Sequence, residues 1–154
     1  MIAPALAKAY LATHYAVDVP DVGRCVLRVG ESSGDTCPQL VAAGARRWAI
    51  IAAANPRSAA LPDAENRLRH LRLLDAVARA GWTAWPGENL APAGDWPPES
   101  TLFIPDIPLI AAIDLAAAFE QHALLVADAE GVARLCWCAQ TIPSARSRAI
   151  ASAS

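Results

Sequence analysis

WAIIAAANPRSAALPDAEN, residues 48–66, contains the change of period on which the fold reading turns. Residues 48–54 form an unbroken apolar run, the pattern of a strand buried on both sheet faces. Asn55-Pro56 ends that run, because the residue before a proline is pushed toward extended or turn conformations. A second proline, Pro62, opens a segment with helical spacing that continues to residue 80. At 100° per residue, Leu71, Leu73, Leu74, Val77 and Ala78 share one broad arc, while Glu65, Arg69, Arg72 and Arg79 fall opposite. Asp63 and Glu65 suit the positive end of the helix, and Gly81 stops it. Asn66 and His70 lie one turn apart inside the apolar arc. Polar groups aimed at a core need partners, supplied either by the protein or by a ligand.

Outward from this junction, the spacing predicts a helix over 4–14, with Tyr10 and Tyr15 placed to cover a sheet edge. CVLRV at 25–29 reads as a strand, and Asp35 or Thr36 is positioned to cap a helix over 38–45. Downstream, WTAW at 82–85 reads as a short strand. Residues 86–100 read as loop, since their four prolines and two glycines oppose a regular ladder. TLFI at 101–104 is a further strand, followed by a helix starting after Asp106 and running through 110–121. HALLVAD at 122–128 and VARLCWC at 132–138 form a terminal hairpin. The prediction is one α/β domain over 1–142: a mixed sheet of about five to six strands, flanking helices and a C-terminal β-hairpin. A flexible polar tail is expected over 143–154.

Composition excludes several functional classes. Of 154 residues, 55% are apolar and 18% charged, below the ~25% usual for soluble domains, which opposes disorder. The formal net charge of −2 comes without any basic stripe interleaved with aromatics, so nucleic acid is not an expected partner. Lys8 interrupts the only N-terminal apolar run, so neither a signal peptide nor a membrane span is expected. Cys25, Cys37, Cys136 and Cys138 sit inside apolar segments of a chain without secretory features, favouring reduced thiols and a cytoplasmic protein. Cys136-x-Cys138 puts both sulfurs on one strand face with Trp137 on the other, without the two-residue spacing of thioredoxin-type sites. No metal-ligand spacing or Gly-rich phosphate loop occurs, and no cofactor is implied.

Four short elements carry a family resemblance: Asn55-Pro56-x-Ser58, Asn66 early in the next helix, Trp96-x-x-Glu99-Ser100, and Phe119-x-Gln121 before a late strand. In order and spacing they resemble the small bacterial family known as domain of unknown function 3293. Where that family commonly carries Thr-Ala-Trp before Asn-Pro, this chain has Ala52-Ala53-Ala54, so that hydroxyl and indole are absent. The resemblance implies a shared site without naming its chemistry.

Read for chemistry, the elements form two clusters. Asn55, Arg57, Ser58 and Asn66 sit where a strand end meets a helix start, a common location for small ligands in α/β proteins. Free backbone N–H groups there, with the guanidinium of Arg57, would suit an anion. Local turn bonding explains Asn55 and Ser58 about as well. In the second cluster, Pro97 and Pro98 stiffen the path between the Trp96 indole and Glu99-Ser100. Gln121 either holds backbone or meets a ligand. Asn55 follows one strand and Glu99 precedes another, so they share a sheet end only if those strands run antiparallel or the long loop doubles back.

The leading expectation is a small-ligand-binding α/β protein whose polar pocket takes a small polar or anionic molecule. One alternative is an enzyme using Glu99 as acid or base on a small polar substrate. Another is a protein-interaction module presenting Trp96 on the proline-rich loop. An exposed edge at the terminal hairpin leaves a homodimer open.

Overall fold

The computed structural model describes residues 3–138. Its strands are β1 (His14–Val19), β2 (Gly23–Leu27), β3 (Trp48–Ala52), β4 (Trp85–Leu90), β5 (Glu99–Pro105), β6 (Ala123–Ala127) and β7 (Ala133–Trp137). Helices α1 (Pro4–Ala12), α2 (Ser33–Thr36), α3 (Pro38–Ala42), α4 (Asp63–Ala80) and α5 (Leu109–Ala118) complete the described chain, with a single 3-10 turn at Pro56–Ser58. The predicted tail at 143–154 lies outside the described residues.

The sheet runs β2-β1-β4-β5-β3-β6-β7, and every neighbouring pair is antiparallel. This corrects the expectation of a mixed sheet of five to six strands. The physical reason is the interleaving of two crossovers. Helix α4 joins β3 to β4 and α5 joins β5 to β6, each pair parallel in direction, yet β5 occupies the first gap and β3 the second. This is the split β-α-β arrangement, in which helical crossovers never produce adjacent parallel strands. β1 and β2 extend it beyond β4, and β7 extends it beyond β6.

Two strands were hidden by their own residues. β1 begins at His14, where the N-terminal helix was expected to end; that helix stops at Ala12. β4 begins at Trp85 and runs through Pro86 and Gly87, so WTAW contributes only its last residue. Gly87 is required by proximity: a Cβ there would lie 2.2 Å from the Ala16 carbonyl oxygen and 3.0 Å from Thr101 Oγ1. The expected helix over 38–45 is the shorter α3, preceded across Cys37 by α2 in the stretch read as loop, and neither begins with a side-chain cap.

Alternation along β3 divides the core between the two sheet faces. Trp48 and Ile50 join Tyr15, Val17, Leu27, Leu40 and Phe103 on one face, under α2 and α3. Ala49 and Ile51 join Leu73, Val77, Leu102, Ala112 and Ala116 on the other, under α4 and α5. The sheet curls toward the first face, because the segment after β2 reaches β7. Gly30 N–H donates to the Ala133 carbonyl at 2.7 Å, and Ala133 N–H donates to the Glu31 carbonyl at 3.0 Å. α1 closes one end of this concave face, with Tyr10 edge-on to Trp137 at 5.3 Å and its carbonyl accepting from the Tyr15 hydroxyl at 3.2 Å. Among the described residues, no helix is long and apolar enough to cross a membrane.

Candidate functional site

The site is assembled at the sheet end where β3 stops and β5 starts. Their antiparallel register sets Ala52 opposite Thr101, which brings the residues after β3 level with the beginning of β5. Asn55 Nδ2 donates to Glu99 Oε2 at 2.7 Å, and the Trp96 indole Nε1 donates to the same oxygen at 2.9 Å. The antiparallel condition raised by the sequence is therefore met. Glu99 Oε1 accepts no hydrogen bond among the described residues.

Asn55 is held from the other side by Asn66. Asn66 Oδ1 accepts the Asn55 backbone N–H at 2.9 Å, while Asn66 Nδ2 donates to Asn55 Oδ1 at 2.8 Å and to the Leu61 carbonyl at 3.3 Å. Leu61 N–H also donates to Asn55 Oδ1, at 2.9 Å. This reciprocal amide pair secures a bend in which Asn55, Arg57 and Ser58 have φ of 48°, 52° and 60°. Such left-handed conformations are costly for side-chain-bearing residues, with Asn the most tolerant. The amide pair and the Glu99 carboxylate thus stabilise a strained turn and fix the direction of its polar groups.

Arg69 and Gln121 brace the same turn from beneath. Arg69 was expected on the exposed face of α4, yet its side chain is only 17% exposed. Its guanidinium donates to the Ala53 carbonyl through Nε and to the Phe119 carbonyl through NH2, both at 2.5 Å. Gln121 Nε2 donates to the Ala54 carbonyl at 3.0 Å and to Phe119 at 3.1 Å. These bonds satisfy carbonyls freed where β3 and α5 end. Leu71 and Leu74, assigned by periodicity to the buried arc, are exposed, and Leu73 with Val77 carries the packing.

Two clefts meet at this network. The larger, about 540 Å³, lies between α1, the ends of β1 and β4, and the 91–98 loop. Tyr10, Tyr15, Ser58, Asn89, Trp96, Glu99 and Gln121 reach it, along with alanines, Leu6, Leu90 and Pro92. The smaller, about 260 Å³, lies between the first turns of α4 and the 97–100 segment; Asn66, Arg67, His70, Glu99 and Ser100 line it. Asn55, Trp96 and Glu99 border both and form the ridge between them. Arg57 lines neither: its guanidinium pairs with Glu120 at 3.1 Å and is largely exposed.

Local electrostatics follow from burial and from Glu99. Burial pushes the Tyr10 phenol above its ordinary pKa; the 3.3 Å hydrogen bond with Ser58 opposes the shift, and the charge of Glu99 adds to it. Tyr15 is raised further, chiefly by burial. Both phenols therefore keep their protons at neutral pH and suit hydrogen bonding better than base catalysis. Burial lowers the His70 imidazole, whose Nδ1 has no hydrogen-bond partner among the described residues. Asn89 Oδ1 is likewise buried without a partner. Among the described residues, no group of three or more His, Cys, Asp or Glu could hold a metal ion.

Of the residues singled out from sequence, Asn55, Ser58, Asn66, Trp96, Glu99, Ser100 and Gln121 gather around the two clefts, and Arg57 stands outside them. Asn89 was missed because it lay in a segment read as loop. Residues 51–124 match the family model described as Protein of unknown function (DUF3293). No curated protein and no solved structure matches the chain.

Proposed function

We propose that this chain, which belongs to the DUF3293 family through residues 51–124, is a small-ligand-binding protein whose polar pocket is built on the Asn55–Glu99–Trp96 ridge. One observation carries the reading. Two donors, Asn55 from the turn after β3 and Trp96 from the loop leading into β5, converge on Glu99 Oε2, beside a cleft of about 540 Å³, a volume within the ~300–1,000 Å³ range of small-molecule sites. Core packing alone does not require a carboxylate there with one oxygen left over. The test is native mass spectrometry of protein purified without added ligand, repeated on Asn66→Ala and Glu99→Gln. Retained mass in the wild type that both variants lose supports the reading; no adduct in any sample, together with no binding from a fragment library, ends it.

A second reading, catalysis with Glu99 as acid or base, draws on its place in the lining of both clefts, with Oε1 free of hydrogen bonds among the described residues. The interaction-module reading draws on the 38% exposure of Trp96, and is weaker because its indole N–H is engaged by Glu99. We assign the protein to the cytoplasm, since its four free thiols fit a reducing compartment.

A further inference from the structure

The larger cleft has a composition that selects among ligand classes. Tyr15, Asn89 and Glu99 are directly opposed residues on β1, β4 and β5, so their side chains leave the same sheet face in one row. The row runs from a phenol through an amide to a carboxylate. Among the described residues two of its acceptors are unused: Glu99 Oε1 has no partner, and Asn89 Oδ1 is buried without one. An unpaired buried acceptor calls for a donor.

Charge at the cleft has one sign where it counts. Lys8 and Asp95 are both exposed, one on α1 and the other on the 91–98 loop, whereas Glu99 is half-buried. Arg57, the cation expected to attract an anion, is committed to Glu120 outside the cleft. Burial is the main reason the Tyr10 and Tyr15 phenols are raised, and the charge of Glu99 adds to it, which places both rings within reach of that carboxylate. Tyr10, Tyr15 and Trp96 add aromatic rings that attract cations, and the remaining wall is largely alanine, leucine and proline.

Resting on the ligand-binding reading above, we infer that the larger cleft takes an organic ammonium ion with an apolar body, its charged end directed to the Glu99 carboxylate beside the Asn89 amide. The apolar body lies against the α1 alanines, Leu6 and Pro92. An anionic ligand would face Glu99, and Lys8, the cation among the described residues lining this cleft, is exposed.

Three probes of similar size and different charge test this: phenethylammonium, 3-phenylpropan-1-ol and 3-phenylpropanoate, each titrated calorimetrically into the full chain. The expected order is ammonium first, with roughly tenfold weaker binding of the alcohol and weaker binding still of the carboxylate. Glu99→Gln keeps the shape and removes the charge, and should bring the ammonium and alcohol affinities within about twofold of each other. The wild-type series decides the matter even if that variant does not fold. Equal affinities, or a preference for the carboxylate, would overturn the ammonium assignment while leaving a binding cleft in place. No binding of any probe would overturn the assignment as well. Fragments that then bind at Trp96 would leave the ligand-binding reading standing, whereas a failed fragment screen and native mass spectrum would remove it.

Discussion

Truncating Asn66 to alanine should loosen the junction by an amount that can be worked out from its hydrogen bonds. The substitution removes the acceptor of the Asn55 backbone N–H and the donor to Asn55 Oδ1 and the Leu61 carbonyl. Asn55 is only 8% exposed, so its orphaned N–H bears a desolvation cost of about 1–3 kcal/mol. The lost amide–amide bond adds about 1 kcal/mol. Leu61 N–H still serves Asn55 Oδ1, and alanine's better helix propensity returns about 0.5 kcal/mol. The net loss is about 1.5–3.5 kcal/mol, or a fall in Tm of about 3–14 °C for a chain of this size. Urea unfolding followed by tryptophan fluorescence should show a lower midpoint with an unchanged slope. Arg72→Ala, on the exposed side of the same helix, is the control and should stay within about 0.5 kcal/mol of wild type. If Asn66→Ala matches that control, the reciprocal amide pair does not hold the turn, and the reasoning fails.

Other substitutions probe separate parts of the architecture. Gly87→Ala places a methyl group against the Ala16 carbonyl and should destabilise the chain by about 2–4 kcal/mol, measured by the same denaturation; an effect below about 1 kcal/mol would show that β4 can shift away. Arg69→Lys keeps the charge but loses the fork joining the Ala53 and Phe119 carbonyls, so a loss of about 1–3 kcal/mol is expected. For His70, burial depresses the folded pKa, so the unfolded chain binds more protons as pH falls below the ordinary histidine value. Its contribution to stability is present above about pH 6.5 and declines as pH falls toward the folded pKa. His70→Leu should flatten that part of the pH–stability profile, and an unchanged slope would mean that another group sets it.

Period and punctuation made β3, α4 and the terminal hairpin legible in the sequence, because each combines a clear repeat with a clear stop. β4 was illegible for a physical reason. Pro86 and Gly87 carry loop preferences locally, but the close approach of Ala16 needs a residue without a side chain at position 87. Losing β4 and β1 from the reading also concealed the split crossovers and made parallel neighbours look natural. At the site, helical arithmetic turned Asn66 and His70 inward, and the family elements drew attention to Asn55, Trp96 and Glu99. It misplaced Arg69, since its length lets it reach carbonyls beyond the apolar stripe that periodicity describes. Tyr10 and Tyr15 looked like edge cover and line the larger cleft; Asn89 became visible only with β4.

The most direct test of a ligand site on the Glu99 ridge is a fragment screen read by the tryptophan indole N–H signals in a ¹H–¹⁵N spectrum. The chain has five tryptophans, and Trp96→Phe identifies the signal that belongs to position 96. Binding fragments should move the Trp96 signal, whose N–H donates to Glu99, and Glu99→Gln should weaken those fragments. Fragments that bind while leaving Trp96 unmoved, or no binding fragments at all, would contradict the account.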